Sequence, residues 1–81
     1  MSVSKSIKPL HDHVLHTLQA YFEQMGDHEV TGLYDMVLKE IEIPLLKTVL
    51  KQAKGNQSKA AEMLGLNRST LRKKLQQYKL L

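Results

Sequence analysis

The sequence predicts an all-α fold with four helices per chain. Apolar residues recur every three or four positions along most of its length, which is the helical period. Glycines at 26, 55 and 65 stand where those periodic stretches stop. No segment reads as a strand and no internal repeat is present. The first helix opens at Pro9, whose missing N–H would go unpaired in a first turn anyway. Leu10, Val14, Leu18, Phe22 and Met25 form its stripe, Leu15 and Tyr21 widen it, and Gly26 is its stop. Residues 1–8 are polar and are expected to be a short disordered tail.

Gly26-Asp27-His28 reads as a turn, and Thr31 is expected to cap a second helix. Leu33, Val37, Ile41, Leu45 and Val49 follow at four-residue spacing, with Tyr34, Leu38, Leu46 and Leu50 as an adjacent row. One small chain has little to cover both rows, so the second is expected to be a protein–protein face. The expected dimer interface is Leu33, Tyr34, Val37, Leu38, Ile41, Leu45, Leu46 and Val49. Pro44 removes one backbone hydrogen bond and crowds the carbonyl four residues back. The apolar period stays in phase across it, which favours one kinked helix over two. Residues 9–54 are therefore expected to be the dimerisation segment.

Gly55 ends that helix, and Asn56 can cap a third over about Gln57 to Leu64, with Gly65 just past its end. Asn67 can cap a fourth that starts at Arg68. Leu71, Leu75 and Tyr78 give the fourth helix one apolar stripe, while Arg72, Lys73, Lys74 and Gln76 occupy other faces. A short helix, a glycine corner and a basic helix over residues 55–81 fit a helix-turn-helix. Ala61 is small where the two helices cross, so their backbones can approach closely.

The 81 residues allow one domain with a small core. Cysteine is absent, so neither a disulfide nor a thiolate ligand is available. Self-association is the expected source of added stability. Charge is divided unevenly. Residues 1–50 hold four lysines against seven acids, a net −3, whereas residues 51–81 hold eight basic groups against Glu62 alone, a net +7. A cationic block beside a mildly acidic body points to a polyanion.

Arg68 can present two donors to O6 and N7 of guanine, and Asn67 and Arg72 lie where they can also reach base edges. Asn56, Gln57, Ser58, Thr70, Lys73 and Lys74 are expected to hold phosphates, the first three at the positive end of a helix.

Other chemistry finds little support. There is no phosphate-binding glycine loop, nucleophile elbow or zinc-binding His-Glu-x-x-His signature, so no enzyme activity and no cofactor are expected. His11, His13, His16 and His28 are expected to face solvent rather than a metal. Asp35, Glu40 and Glu42 are expected to form an exposed acidic face. No run of roughly 18 apolar residues exists to span a membrane, and residues 1–8 lack the apolar stretch of a signal peptide. A cytoplasmic, nucleoid location is expected.

Two stretches resemble the Fis family (factor for inversion stimulation) of bacterial nucleoid-associated proteins. They are Leu33-Tyr-Asp-Met-Val-Leu-Lys-Glu-Ile-Glu-Ile-Pro-Leu-Leu46, and Gly55-Asn-Gln-Ser58 through Asn67-Arg-Ser-Thr-Leu-Arg-Lys-Lys-Leu75. The second also resembles the C-terminal domain of sigma-54-dependent activators; the first is more particular to Fis. The resemblance implies an intertwined homodimer, with two recognition helices entering successive major grooves. It also implies DNA bending and a compressed minor groove between half-sites. By the same resemblance Arg68 would contact guanine and Asn67 a nearby base. Arg72 and Lys73 would serve the groove edge and backbone, and Asn56, Ser58 and Thr70 would hold phosphates. Only eight residues precede Pro9, too few for the mobile hairpin by which Fis contacts recombinases, so that contact is not expected. Gln76 and Gln77 stand where Fis has lysines, which implies looser wrapping of flanking DNA. The expected function is a sequence-selective DNA-binding and DNA-bending transcriptional regulator. The alternatives are a local regulator of one operator class and an adaptor whose basic helix docks an acidic protein.

Overall fold

A computed structural model describes residues 7–81, so most of the expected 1–8 tail lies outside the described residues. Four helices follow one another: α1 Lys8–Met25, α2 Leu33–Gln52, α3 Gln57–Leu64 and α4 Arg68–Gln77. No strand occurs among the described residues. The chain divides into two compact units, one reaching Thr31 and the other spanning Gly32–Leu81.

The first unit is α1. It starts one residue before Pro9, and the carbonyl of Ile7 accepts from the N–H groups of Leu10 and His11, each at 3.1 Å. Its apolar stripe is not buried. Val14, Leu18, Tyr21 and Met25 are half-buried, whereas Leu10, Leu15 and Phe22 are exposed. Tyr21 and Phe22 meet edge to face with ring centroids 5.8 Å apart. Gly26 terminates the helix, its N–H donating to the Phe22 carbonyl at 3.1 Å.

The second unit holds the core. α2 runs unbroken through Pro44, as the in-phase apolar period predicts. Its N-cap position is Gly32 rather than Thr31, with φ +68° and no side-chain cap. A left-handed backbone at that corner suits glycine and leaves the Thr31 hydroxyl without a capping role. Leu46, Ala53, Ala60, Ala61, Leu71 and Leu75 are buried together, with Val49, Leu50, Leu64, Tyr78 and Leu80 packed around them. The last turns of α2 therefore belong with α3 and α4, which is why the compact unit begins at Gly32 and not at Gly55.

This placement corrects part of the interface reading. Leu46 is only 2% exposed within its own chain, so it has no surface to give a partner. Val49 and Leu50 also pack on the internal cluster. Sequence spacing identified two apolar rows but could not show that α3 and α4 cover the C-terminal part of α2. Leu33, Val37, Leu38 and Ile41 are half-buried, while Tyr34 (77% exposed) and Leu45 stand open.

All three helices of this unit end the same way. The N–H groups of Gly55, Leu66 and Leu80 reach back to the carbonyls of Leu50, Ala61 and Leu75 at 2.9, 2.9 and 2.8 Å. Those of Lys54, Gly65 and Lys79 close the shorter bond to Lys51, Glu62 and Gln76 at 3.1, 3.2 and 3.1 Å. This paired pattern is the Schellman end, and its residue just past the helix takes positive φ. Gly65 does so at φ +72° without strain, whereas Lys54 (φ +54°) and Lys79 (φ +56°) carry a Cβ there.

Candidate nucleic-acid interface

The interface is built from two capped helices and a three-residue corner. Asn56 caps α3: its Oδ1 accepts from the Lys59 N–H at 3.0 Å, and its carbonyl accepts from the Ala60 N–H at 2.9 Å. The N–H groups of Gln57 and Ser58 have no helical carbonyl in reach and stay available at the positive end of the helix. α3 then runs to Leu64, and Gly65, Leu66 and Asn67 turn the chain into α4. Asn67 caps α4, its Oδ1 accepting from the Ser69 N–H at 3.2 Å and from the Ser69 hydroxyl at 3.1 Å.

That double commitment limits what Asn67 can read. A bidentate grip on adenine needs both an amide acceptor and an amide donor. Here the acceptor is engaged by the cap, so only the Nδ2 donor remains for a base edge.

α4 separates its roles by face. Leu71 and Leu75 are fully buried and anchor the helix to the core. Arg68 and Arg72, one turn apart, are exposed beside that seam, and Ser69, Lys73 and Gln76 point away from it. Thr70 is exposed on the remaining flank. Among the expected phosphate residues, Asn56, Ser58, Thr70 and Lys73 are exposed and Gln57 is half-buried. Ser69 was not singled out from sequence, and Gln76 was noted only as standing where Fis has a lysine. Their signal was present in the helical spacing that places them on one stripe with Lys73.

Lys74 departs from expectation. Its Nζ lies 2.8 Å from Oε2 of Glu42 on α2, the sole ion pair among the described residues. Oε1 of the same carboxylate accepts from the Tyr78 hydroxyl. Lys74 is thus turned toward α2 and engaged within its own chain. Glu42 leaves the expected acidic face, while Asp35 and Glu40 stay exposed. The hydrogen bond from Lys74 is the main influence holding the Glu42 carboxyl below its ordinary value, followed by the bond from Tyr78; partial burial opposes them. The bond to Glu42 in turn pushes the Tyr78 phenol up to about 12.

His11, His13, His16 and His28 are all exposed, and among the described residues no three metal-ligating side chains gather. No described helix is long and apolar enough to cross a membrane.

An eight-residue helix, a glycine corner and a capped cationic helix held by two buried leucines define a helix-turn-helix protein. The sequence profile described as "Bacterial regulatory protein, Fis family" matches residues 37–78, from the middle of α2 through the helix-turn-helix. The chain is 52% identical over 71 residues to DNA-binding protein Fis of Vibrio cholerae, covering 88% of this chain and 72% of that protein. The same figures hold for DNA-binding protein Fis of Vibrio campbellii. A Fis-like DNA-binding protein of Pseudomonas aeruginosa is 57% identical over 72 residues, 89% of this chain and 69% of that one. The chain belongs to the Fis family of bacterial regulatory proteins, a family of regulators and not of enzymes.

Proposed function

We propose that this chain is a DNA-binding regulator of the Fis type that acts as a homodimer, bends duplex DNA and works in the cytoplasm on the nucleoid. The observation that carries the reading is the division of α4. Leu71 and Leu75 fasten one face, while Arg68, Arg72 and Lys73 stand free on the others. A capped helix with exposed guanidinium groups at its start suits entry into a major groove. Arg68 and Arg72 then supply base contacts, with one donor from Asn67. Asn56, Gln57, Ser58, Thr70 and Lys73 grip the phosphates on either side. The relatives in Vibrio and Pseudomonas are named as DNA-binding proteins, which supports DNA as the ligand.

The dimer reading rests on apolar surface that one chain leaves open. Leu10, Leu15 and Phe22 on α1 and Tyr34, Met36 and Leu45 on α2 are all exposed large apolar side chains. A second copy is the partner that removes them from water at each end of a symmetric assembly. The functional division follows: residues 9–54 for assembly and residues 55–81 for DNA.

Titration of the protein with duplex DNA across a range of salt tests the reading. DNA binding gives a log–log slope of about −0.9 for each phosphate neutralised, summed over several contacts. An adaptor for acidic proteins gives weak, sequence-blind attraction to the duplex. Sedimentation that shows a folded monomer at micromolar concentration removes the dimer.

A further inference from the structure

Apolar contacts hold α4 in place but do not fix its rotation. Burial of Leu71 and Leu75 is favourable over a range of helix tilts, because the hydrophobic effect has no direction. Base readout is less tolerant: side chains must arrive within about 0.5 Å and 10–20° of their working pose. Something directional has to set that pose. Among the described residues the only side-chain hydrogen bonds that join two helices, or a helix to the turn that closes it, run to one carboxylate, Glu42. The other side-chain bonds are local caps, from Asn56 and Asn67.

We infer that Glu42 is a positioning residue. Its carboxylate receives Lys74 Nζ and the Tyr78 hydroxyl, fixes the pose of the recognition helix on α2, and withholds Lys74 from the phosphate backbone. Lys74 and Tyr78 lie four residues apart, so they contact the carboxylate from the last turn of α4 and from the residue that closes it. Two points one turn apart set both the rotation of the helix and its height along α2. The Tyr78 ring also packs on the apolar cluster, so the bond and the burial act on one side chain. The Glu42 side chain is 16% exposed, which makes the loss of a partner costly to it. Its carboxyl titrates below the ordinary range, so the acceptor is ionised at neutral pH.

The inference rests on the reading that α4 enters a DNA groove, and the experiment keeps the two separable. Full-length wild type and the variants Glu42→Gln, Tyr78→Phe, Lys74→Gln, Lys74→Arg and Lys73→Gln are passed through selection on a random duplex library. Affinity for selected and for random duplex is then measured against salt, and helicity is checked by circular dichroism.

Tyr78→Phe is expected to lower the ratio of selected to random affinity about three- to tenfold with an unchanged salt slope. Glu42→Gln is expected to lower the ratio as much, while affinity for random duplex rises because Lys74 is released to phosphates. Lys74→Gln also lowers the ratio and leaves the slope alone; Lys74→Arg, which keeps the pair, restores the ratio. Lys73→Gln is the contrast, losing about one phosphate from the slope.

An unchanged ratio in both Tyr78→Phe and Glu42→Gln overturns the inference. So does a fall of about one in the slope of Lys74→Gln, which makes Lys74 a phosphate ligand. Should wild type select no sequence at all, the DNA reading fails, and amide hydrogen exchange in the free protein still decides the clamp. The α4 amides are expected to exchange faster in Tyr78→Phe than in wild type while those of α3 stay the same; equal α4 rates refute it.

Discussion

Leu71 and Arg72 are neighbours on α4, one buried and one exposed, and truncating Leu71 shows how much of the fold rests on one side chain. Leu71 has no exposed surface, and it is one of only three fully buried large side chains among the described residues. Leu71→Ala removes three carbon atoms, about 2.4 kcal/mol of transfer free energy at about 0.8 kcal/mol each. The cavity left behind brings the total to roughly 3–5 kcal/mol. A chain of this length has about 4–12 kcal/mol in all. The variant therefore loses about a quarter or more of its stability. A thermal melt followed by circular dichroism should move down by at least about 12 °C, since each kcal/mol shifts a domain of this size by about 4–8 °C. Both proteins must be compared at one concentration, because a dimer's melting point depends on it. Any DNA affinity that survives below the melt should keep the wild-type base preference. A melt within about 3 °C of wild type would refute the assignment of Leu71 to the core.

Arg68→Ala should do the reverse. It leaves the melt within about 0.5 kcal/mol of wild type and relaxes preference at one base of each half-site by about 1–3 kcal/mol, as read by binding-site selection; unchanged preference excludes Arg68 from readout. Gly65→Ala should destabilise by about 1–2 kcal/mol in urea unfolding. No atom lies within 4 Å of the added Cβ, so the cost is that of φ +72° and not of a clash. Stability against pH carries the signature of Glu42. A carboxyl held below its ordinary value of 4.5 stabilises fully above that value, and the contribution is lost as pH falls through the lowered one. Tyr78 behaves in the opposite sense: raised from 10.0 to about 12, it stabilises below 10 and is lost as pH climbs toward 12. The melting difference between wild type and Glu42→Gln should thus be flat from about pH 5 to 10 and shrink outside it. A difference that does not shrink on acidification below 4.5 contradicts the assignment.

What could be read from the chain alone was mostly short-range. The caps Asn56 and Asn67 act on N–H groups two or three residues away, and Gly65 relieves a strain confined to its own backbone. Such features sit within one turn of sequence, so residue types in order were enough to place them. The misplaced features depend on partners far along the chain. Glu42 meets Lys74 and Tyr78 across 32 and 36 residues, and nothing in the spacing of acids announces that encounter. Leu46 was expected to face outward because the helices that cover it are short, and their buried apolar content lies in a few residues, Ala60 and Ala61 on α3 and Leu71 and Leu75 on α4. Thr31 was a sound cap by type. The left-handed turn at Gly32 displaced the helix start by one residue and took the hydroxyl out of the geometry.

The two strained lysines bear on how stability and charge are balanced. Lys54 and Lys79 occupy the positive-φ position of Schellman ends where Gly65 fills the equivalent place in α3. A Cβ at that position costs about 1–2 kcal/mol, and part of this is offset because glycine loses more freedom on folding. A core of six buried residues, three of them alanine, has little margin to absorb two such penalties. Both lysines are exposed and both belong to the +7 block of residues 51–81. Each therefore adds positive charge to that block at a backbone cost that glycine, as at Gly65, does not incur.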